Sequence, residues 1–405
     1  MHDPRGGTPS GGTRAHRFAC FACEHREDTF TYDCAVCGGP MLVDPAPVTA
    51  DDLTTPELGA RGPWRYPALL PRSTARVTIG EGDTPLVALP FAHRGSSPVY
   101  AKLESLNPSL SFKDRAMAVG ASAAVDLGLQ GLVVASTGNA AVSAATYAAA
   151  AGLACTVLVG SESQAAKKLD ACRALGAEVR EIEGDYSAAY ARARTLEGEG
   201  WMNVSTTYRN PLLAEGYRSI AFELIEQLGR TPSRVIVPIG AGPLLRGVER
   251  GFADAVAAGR ATHVPALVGV QAERVAPIHA AWRRRHGDGS ASPTRGGATL
   301  ATAIADRLTG YEAHGDVTIA AVERTAGTVM AVDETEIIAA TRRLAAAGIW
   351  VEPSAATALA ALGHGDAADP GVRAAHPALG DDADGPVVLM LTGHGIKAPT
   401  LPTRA

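Results

Sequence analysis

Residues 132–152, LVVASTGNAAVSAATYAAAAG, divide into three parts. LVVAS is an unbroken apolar run of strand length. STGNA, residues 136–140, is polar and contains a glycine. The alanine-rich remainder is long enough for about three helical turns. An apolar run without alternation belongs to a strand buried on both faces, as in a parallel sheet covered by helices. The unit recurs along the chain. Strands are expected at VYAKL (99–103), CTVLV (155–159), EVREI (178–182), WMNVS (201–205), RVIVPI (234–239), ALVGVQ (266–271), TVMAVD (328–333) and VVLMLT (387–392). Helices are expected over 112–127, 140–151, 164–175, 187–197, 212–228, from Pro243, and over 334–347 and 354–363. This alternation predicts the α/β class, and so many units in 405 residues predict two three-layer α/β domains. Ligands of such sheets sit outside the carboxyl ends of the strands. The strand-end loops are therefore where the chemistry belongs.

The bulk numbers exclude several classes. The chain is 46% hydrophobic and 20% charged, as in ordinary globular proteins. A net charge of −5 gives no support for a nucleic-acid or anionic-membrane partner. No apolar run reaches the length of a membrane span. MHDPRGGTPSGGTR lacks the apolar centre of a secretory signal, so residues 1–15 are expected to be a disordered tail and the chain cytoplasmic. Residues 45–75 read as a proline-rich linker wrapping the main body. The stretches 283–297 and 364–386 read as surface insertions, and the RRR run as a solvated charge cluster.

Six cysteines fall into two groups. Cys155 and Cys172 stand alone in apolar or helical segments, as small core residues do. Cys20-x2-Cys23 and Cys34-x2-Cys37 have the spacing of a four-thiolate zinc ribbon. A module this small, residues 16–44, buries little without such a staple. Four thiolates leave no open coordination position, so structural zinc is expected rather than a catalytic ion. From His16 to Val43 two arginines face four acidic residues, which argues against nucleic-acid binding by the ribbon. The rival reading is a ribbon docked through Phe18, Phe21, Phe30 and Tyr32 with its thiols free.

Only five of the 37 basic residues are lysines: Lys102, Lys113, Lys167, Lys168 and Lys397. Lys113 lies in NPSLSFKDRAM (107–117), where a helix is expected to begin. A helix N-terminus disfavours a cation, and arginine cannot give up its proton as lysine can. Lys113 therefore reads as a functional amine. STGNA offers hydroxyls and helix N–H groups to a carboxylate, with Asn139 either a cap or a ligand donor. IGAGPLLRG (239–247) is a glycine loop opening a helix, suited to a phosphate monoester. It lacks the G-K-[ST] of a nucleotide-triphosphate loop and gives no convincing nicotinamide fingerprint. Thr392 ends the last strand in LTGHGIK (391–397); His394 there is an acid-base candidate or a structural histidine. Ser354 reads as a helix cap in EPSAATALAAL (352–362). An amine, a phosphate cradle, an asparagine and a strand-end threonine together match the needs of pyridoxal phosphate.

From about residue 18 to 400 the chain resembles the threonine synthases of the fold-type-II pyridoxal-phosphate family, which are tryptophan-synthase-β-like in fold. The resemblance rests on the cysteine ribbon, GEGDTPL (80–86), KLESLNPSLSFKDRAM (102–117), STGNAAVSAATYAAAAG (136–152), YRSIAFELIEQLG (217–229), VIVPIGAG (235–242), VGVQAERVAPI (268–278), EPSAATALAAL and LTGHGIK. It implies a smaller domain over 98–205 and a larger one over 45–97 and 206–405. It implies that Lys113 is the Schiff-base lysine and later moves protons. Phe112 would border the ring and Asn139 bond its hydroxyl. Gly240, Ala241, Gly242, Pro243 and Leu244 would hold the phosphate, and Thr392 face the ring nitrogen. Ser136 and Thr137 would hold the substrate carboxylate.

The implied activity is conversion of O-phospho-L-homoserine and water to L-threonine and phosphate, by a homodimer acting on a small amino acid. Two departures open alternatives. The family's N-P-T-G-S-F-K-D-R has Ser109-Leu110 in place of T-G, which places extra bulk beside Lys113. The loop GAGPL is closer to those of serine and threonine dehydratases than to G-N-x-G-N. The alternative is a β-elimination or β-replacement enzyme acting on serine, phosphoserine or a related amino acid, threonine dehydratase-like or cysteate synthase-like. A non-catalytic binding protein on the same scaffold is the reading from another class.

Overall fold

The computed structural model describes residues 17–44, 48–53, 57, 59–71, 73–92, 97–161, 166–205, 208–287, 296–363 and 385–398. The tail expected at 1–15 lies outside the described residues, as do all but the ends of the two expected insertions.

Strands β1 (Arg17–Cys20), β2 (Arg26–Glu27) and β3 (Met41–Asp44) form a small antiparallel sheet in the order β2-β1-β3. Phe18, Met41 and Val43 are buried beneath it. Phe30 meets Tyr32 edge-on at 4.8 Å. The Tyr32 hydroxyl accepts from the Asn203 N–H at 2.9 Å, and Asp33 pairs with Arg209. These contacts dock the module on the body around residues 202–209.

The body continues with β4 (Leu86–Ala88), β5 (Val99–Lys102), α1 (Lys113–Asp126), β6 (Gly131–Ala135), α2 (Asn139–Ala151), β7 (Ala154–Gly160), α3 (Ala166–Ala174), β8 (Glu178–Ile182), α4 (Tyr186–Glu197) and β9 (Trp201–Asn203). Then follow α5 (Ser219–Leu228), β10 (Arg234–Pro238), α6 (Pro243–Ala257), β11 (Ala266–Ala272), α7 (Pro277–Arg285), α8 (Ala313–Arg324), β12 (Thr328–Val332), α9 (Glu334–Ala346), α10 (Pro353–Gly363) and β13 (Val387–Met390). The smaller sheet, β8-β7-β6-β9, is parallel throughout. The larger, β12-β11-β10-β13-β5-β4, is parallel except for its edge strand β4. The unbroken apolar runs β6, β10 and β13 are wholly buried, as a sheet covered on both faces requires.

Two expectations need correction. The smaller domain was expected to begin at residue 98, but β5 pairs with β13 and β4 in the larger sheet. The division by sheets therefore falls after Lys102. Charge explains the placement: the Lys102 ammonium is buried and bonds Glu223 at 2.6 Å and the Thr84 carbonyl at 2.7 Å. Arg115 on α1 bonds Glu104 at 2.7 Å and also reaches Glu223. This satisfied buried network ties α1 and α5 to β5. The helix expected over 212–228 is instead a 3-10 turn, Leu213–Tyr217, followed by α5. Gly216 lies so close to α1 that a Cβ on it would be 2.2 Å from the Arg115 carbonyl.

Candidate active site

A cavity of about 510 Å³ opens between the carboxyl ends of β6, β10 and β13 and the starts of α1, α2 and α6. Phe112, Lys113, Ser136, Thr137, Asn139, Gly240, Ala241, Gly242, Pro243, Leu244 and Thr392 all line it. Residues up to 280 positions apart in sequence thus share one enclosure, as the switch between strand ends in an open α/β sheet allows.

Lys113 is the first residue of α1. Its amine faces a cavity that is itself walled by protein, and it sits 4.5 Å from the centre of the Phe112 ring. Burial pushes the amine down to about 7, against the opposing pull of the Asp306 carboxylate. An amine in this state loses its proton near neutrality. Phe112 in turn packs on Tyr217, ring centres 5.3 Å apart.

Two helix N-termini point at the cavity without capping side chains. Gly138 precedes α2 and Gly242 precedes α6, and neither end is capped by a side chain. Asn139 is the first residue of α2 rather than its cap, so its amide is free for other work. The first N–H groups of α6 and the backbone of Gly240–Gly242 form a cradle for an anion, with Pro243 in the first turn. Gly242 has φ 102°, a conformation glycine adopts freely. Ser136 Oγ accepts from the Gly138 N–H at 3.0 Å and so shapes the α2 end.

Sequence reasoning missed Asp306, Tyr311, Tyr186 and Glu352. Asp306, Tyr311 and Tyr186 line the cavity, the first two from the segment between α7 and α8. Asp306 accepts from the Tyr311 hydroxyl at 2.7 Å and the Leu308 N–H at 2.9 Å. Burial raises its carboxyl above the usual range, with these two bonds opposing. Among the described residues no strand ends in that segment, so the strand-end loops give no sign of it. Glu352 sits under Asn139: the Asn139 Nδ2 donates to it at 2.7 Å. The clue was its place at the head of EPSAATALAAL, one residue before α10. Ser354 is no cap; its Oγ accepts from the Ala303 N–H at 3.0 Å. His394 is absent from the cavity wall, and its ring accepts from the Ile396 N–H in a tight turn. Leu110 is also absent from the wall, so the bulk expected beside Lys113 is turned elsewhere.

The residues present fit pyridoxal phosphate. They supply a deprotonatable buried lysine, an amide cradle and a strand-end hydroxyl. They also include an orphan: the Asn139 Oδ1 is buried and without a hydrogen-bond partner among the described residues. The four ribbon thiols lie within 4.8 Å of one another, with Cys20 and Cys37 sulfurs 3.4 Å apart and those of Cys23 and Cys34 3.6 Å apart. Tetrahedral thiolates around one zinc would stand about 3.8 Å apart. Backbone N–H groups of Ala22 and Val36 point at the Cys20 and Cys34 sulfurs, each at 3.4 Å. Among the described residues no helix is long and apolar enough to cross a membrane.

Residues 77–392 match the family described as pyridoxal-phosphate dependent enzyme, and the chain belongs to it. Within that family it groups with the threonine synthases. The threonine synthase of Methanosarcina acetivorans is 33% identical over 95% of this chain and 93% of its own length. That of Methanocaldococcus jannaschii is 33% identical over 95% and 94%. The fold is also that of the serine racemase of Dictyostelium discoideum, with a TM-score of 0.60 and 20% identity over 77% of this chain and 92% of that one. An L-serine ammonia-lyase from Rhizomucor miehei superposes with a TM-score of 0.61 at 22% identity, covering 80% of this chain and 95% of that one.

Proposed function

We propose that this enzyme is a lyase that converts O-phospho-L-homoserine and water to L-threonine and phosphate. The observation that carries the reading is near full-length likeness, 33% over 95% of the chain, to threonine synthases. Its support in the site is that every residue assigned to cofactor or substrate lines one cavity.

Pyridoxal phosphate, when bound, supplies the electron sink that makes the substrate Cα–H acidic. Lys113 would hold it covalently. Gly240, Ala241, Gly242 and Leu244 would offer N–H groups to its phosphate, and the α6 dipole favours that charge. Thr392 would face the ring nitrogen with a neutral hydroxyl, and Asn139 would bond the ring hydroxyl. Ser136, Thr137 and the uncapped α2 end hold the substrate carboxylate. Lys113, freed by the substrate amine, would take the proton from Cα, give it up to the cofactor, and only then help move one from Cβ. Phosphate leaves from Cγ with its bridging oxygen. A proton goes to Cγ, water adds at Cβ, and Lys113 returns a proton to Cα. An amine near 7 suits both directions of transfer.

A second reading has one observation in its favour. The wall carries Asp185 and Asp306 but, as basic groups, only Lys113 and Arg307 among the described residues. That is a sparse set for a substrate phosphate, and it favours β-elimination or β-replacement on an uncharged side chain. A screen of amino acids decides between the two. Phosphate and threonine from phosphohomoserine support the first reading. Oxo-acid release from serine, with none of these products from phosphohomoserine, supports the second. A binding-only role would require that no amino acid react. Structural zinc on Cys20, Cys23, Cys34 and Cys37 and assembly as a homodimer complete the proposal, read by elemental analysis and sedimentation.

A further inference from the structure

Glu352 joins two residues that come from the other sheet's layer. Its Oε2 accepts from Asn139 Nδ2 on α2 at 2.7 Å, and its Oε1 accepts from Lys168 Nζ on α3 at 2.8 Å. Glu352 itself belongs to the larger sheet's side, beside Gly393, where its N–H bonds the Gly393 carbonyl at 2.9 Å. The space is tight: a Cβ on Gly393 would be 2.4 Å from Glu352 Oε2 and 3.1 Å from Asn139 Nδ2. The Glu352 and Lys168 side chains are 4% and 11% exposed. The other titratable groups facing Glu352 are Lys397 and His394, beyond β13, at longer range.

An asparagine amide can turn either end toward a partner. An ionised carboxylate accepts and cannot donate, so it selects the NH2 end. Lys168 places its ammonium 2.8 Å from the Glu352 carboxylate in a setting that is almost closed to solvent. The outcome is visible in the site: Asn139 gives one N–H to Glu352, and among the described residues its buried Oδ1 has no hydrogen-bond partner. We propose that the Lys168–Glu352 pair is a positioning device that sets the orientation of the Asn139 amide, presenting Oδ1 and the remaining N–H to the ring hydroxyl of the cofactor. This rests on the pyridoxal-phosphate reading of the cavity. It adds two positioning residues that do not themselves line the cavity. Because Lys168 and Asn139 lie in the smaller layer and Glu352 in the larger, the same pair ties the layers together beneath the cofactor.

The test uses the full chain and the variants Glu352→Gln, Lys168→Met and Lys168→Arg. Glutamine can donate as well as accept, so it no longer selects the amide orientation; methionine leaves the carboxylate without its cation. The readouts are the pH midpoint of the bound cofactor's visible absorption and the affinity of cofactor-free protein for pyridoxal phosphate. Glu352→Gln and Lys168→Met are each expected to move the midpoint by about one pH unit and to weaken uptake about tenfold. Lys168→Arg, which keeps the charge, is expected to restore both most of the way. In cofactor-free protein the double variant Lys168→Met/Glu352→Gln should be no less stable than the weaker single variant, as for a coupled pair. Unmoved midpoints in folded variants, or Lys168→Arg behaving as Lys168→Met, overturn the proposal. Should the wild-type chain take up no pyridoxal phosphate, the cofactor reading fails; the cofactor-free variants still test the pair, and strictly additive stabilities overturn it.

Discussion

A Cβ placed on Gly242 would stand 2.2 Å from Oγ1 of Thr318. Thr318 cannot easily yield, because its hydroxyl bonds the Ala241 carbonyl and shares a 2.9 Å bond with Tyr208. Gly242 also has φ 102°, which an L side chain resists. Gly242→Ala is therefore predicted to push the loop out of its cradle shape. Affinity for pyridoxal phosphate should fall at least about tenfold, the scale of one residue forced into left-handed backbone. Equilibrium titration of the cofactor-free variant checks this, and an unchanged affinity would show that the loop does not hold the phosphate.

Lys113 gives a prediction with a sign. Only the neutral amine attacks an aldehyde, and its fraction rises as pH climbs through the amine's own value. With that value pushed down to about 7 by burial, covalent attachment to cofactor-free protein should accelerate up to roughly pH 7 and then level off. An ordinary lysine would keep gaining to beyond pH 10. Asp306 favours the charged amine, so Asp306→Asn should move the midpoint to lower pH. Lys113→Arg should abolish attachment, scored by mass after borohydride trapping. A trapped adduct in that variant would remove Lys113 from its assigned role.

Leu110 has φ 65°, the left-handed region, at a position where a glycine would be at ease. Its N–H bonds the Asn107 carbonyl at 2.7 Å, so the turn is set by neighbours rather than by the side chain. Leu110→Gly should relieve about 1 kcal/mol of strain, offset in part by the greater chain entropy glycine loses on folding. The expected result is equal or slightly higher thermal stability with unchanged cofactor uptake, since Leu110 is not on the cavity wall. A changed substrate preference would return Leu110 to the site.

The ribbon thiols offer a separate test. Cys23 and Cys37 are exposed, so free thiols there would be open to a thiol reagent. With zinc bound, all four ribbon cysteines should resist a thiol reagent until a chelator is added, and one metal per chain should be found. Cys34→Ser should loosen the module where Tyr32 meets Asn203 while leaving the cofactor's absorption in place. Immediate reaction of Cys23 and Cys37 in untreated protein would contradict the metal site.

The strands were legible because burial on both faces writes them as unbroken apolar runs; β6, β10, β11 and β13 appear within a residue or two of their expected bounds. Helix starts followed from the strand-end loops, which is why Lys113, Asn139 and the GAGPL loop, all on the cavity wall, were legible in the sequence. The site's other half was illegible for a physical reason. Asp306 and Tyr311 come from an irregular stretch whose shape depends on packing against the smaller layer, as where Tyr190 of α4 meets Tyr311 with ring centres 5.1 Å apart. Glu352 and Lys168 carry no local signal either, since their pairing exists only across 184 residues of chain. Strand β5 was assigned to the wrong layer because an apolar run does not name its partner; the buried Lys102–Glu223 pair does.

Phosphohomoserine in water enriched in heavy oxygen separates water addition at Cβ from every alternative. Equimolar threonine and phosphate are expected, with the label in the threonine hydroxyl. The phosphate should be unlabelled, since it leaves from Cγ with its bridging oxygen. Labelled phosphate with unlabelled homoserine, or an oxo acid in place of threonine, from protein with its cofactor bound would contradict the proposed reaction.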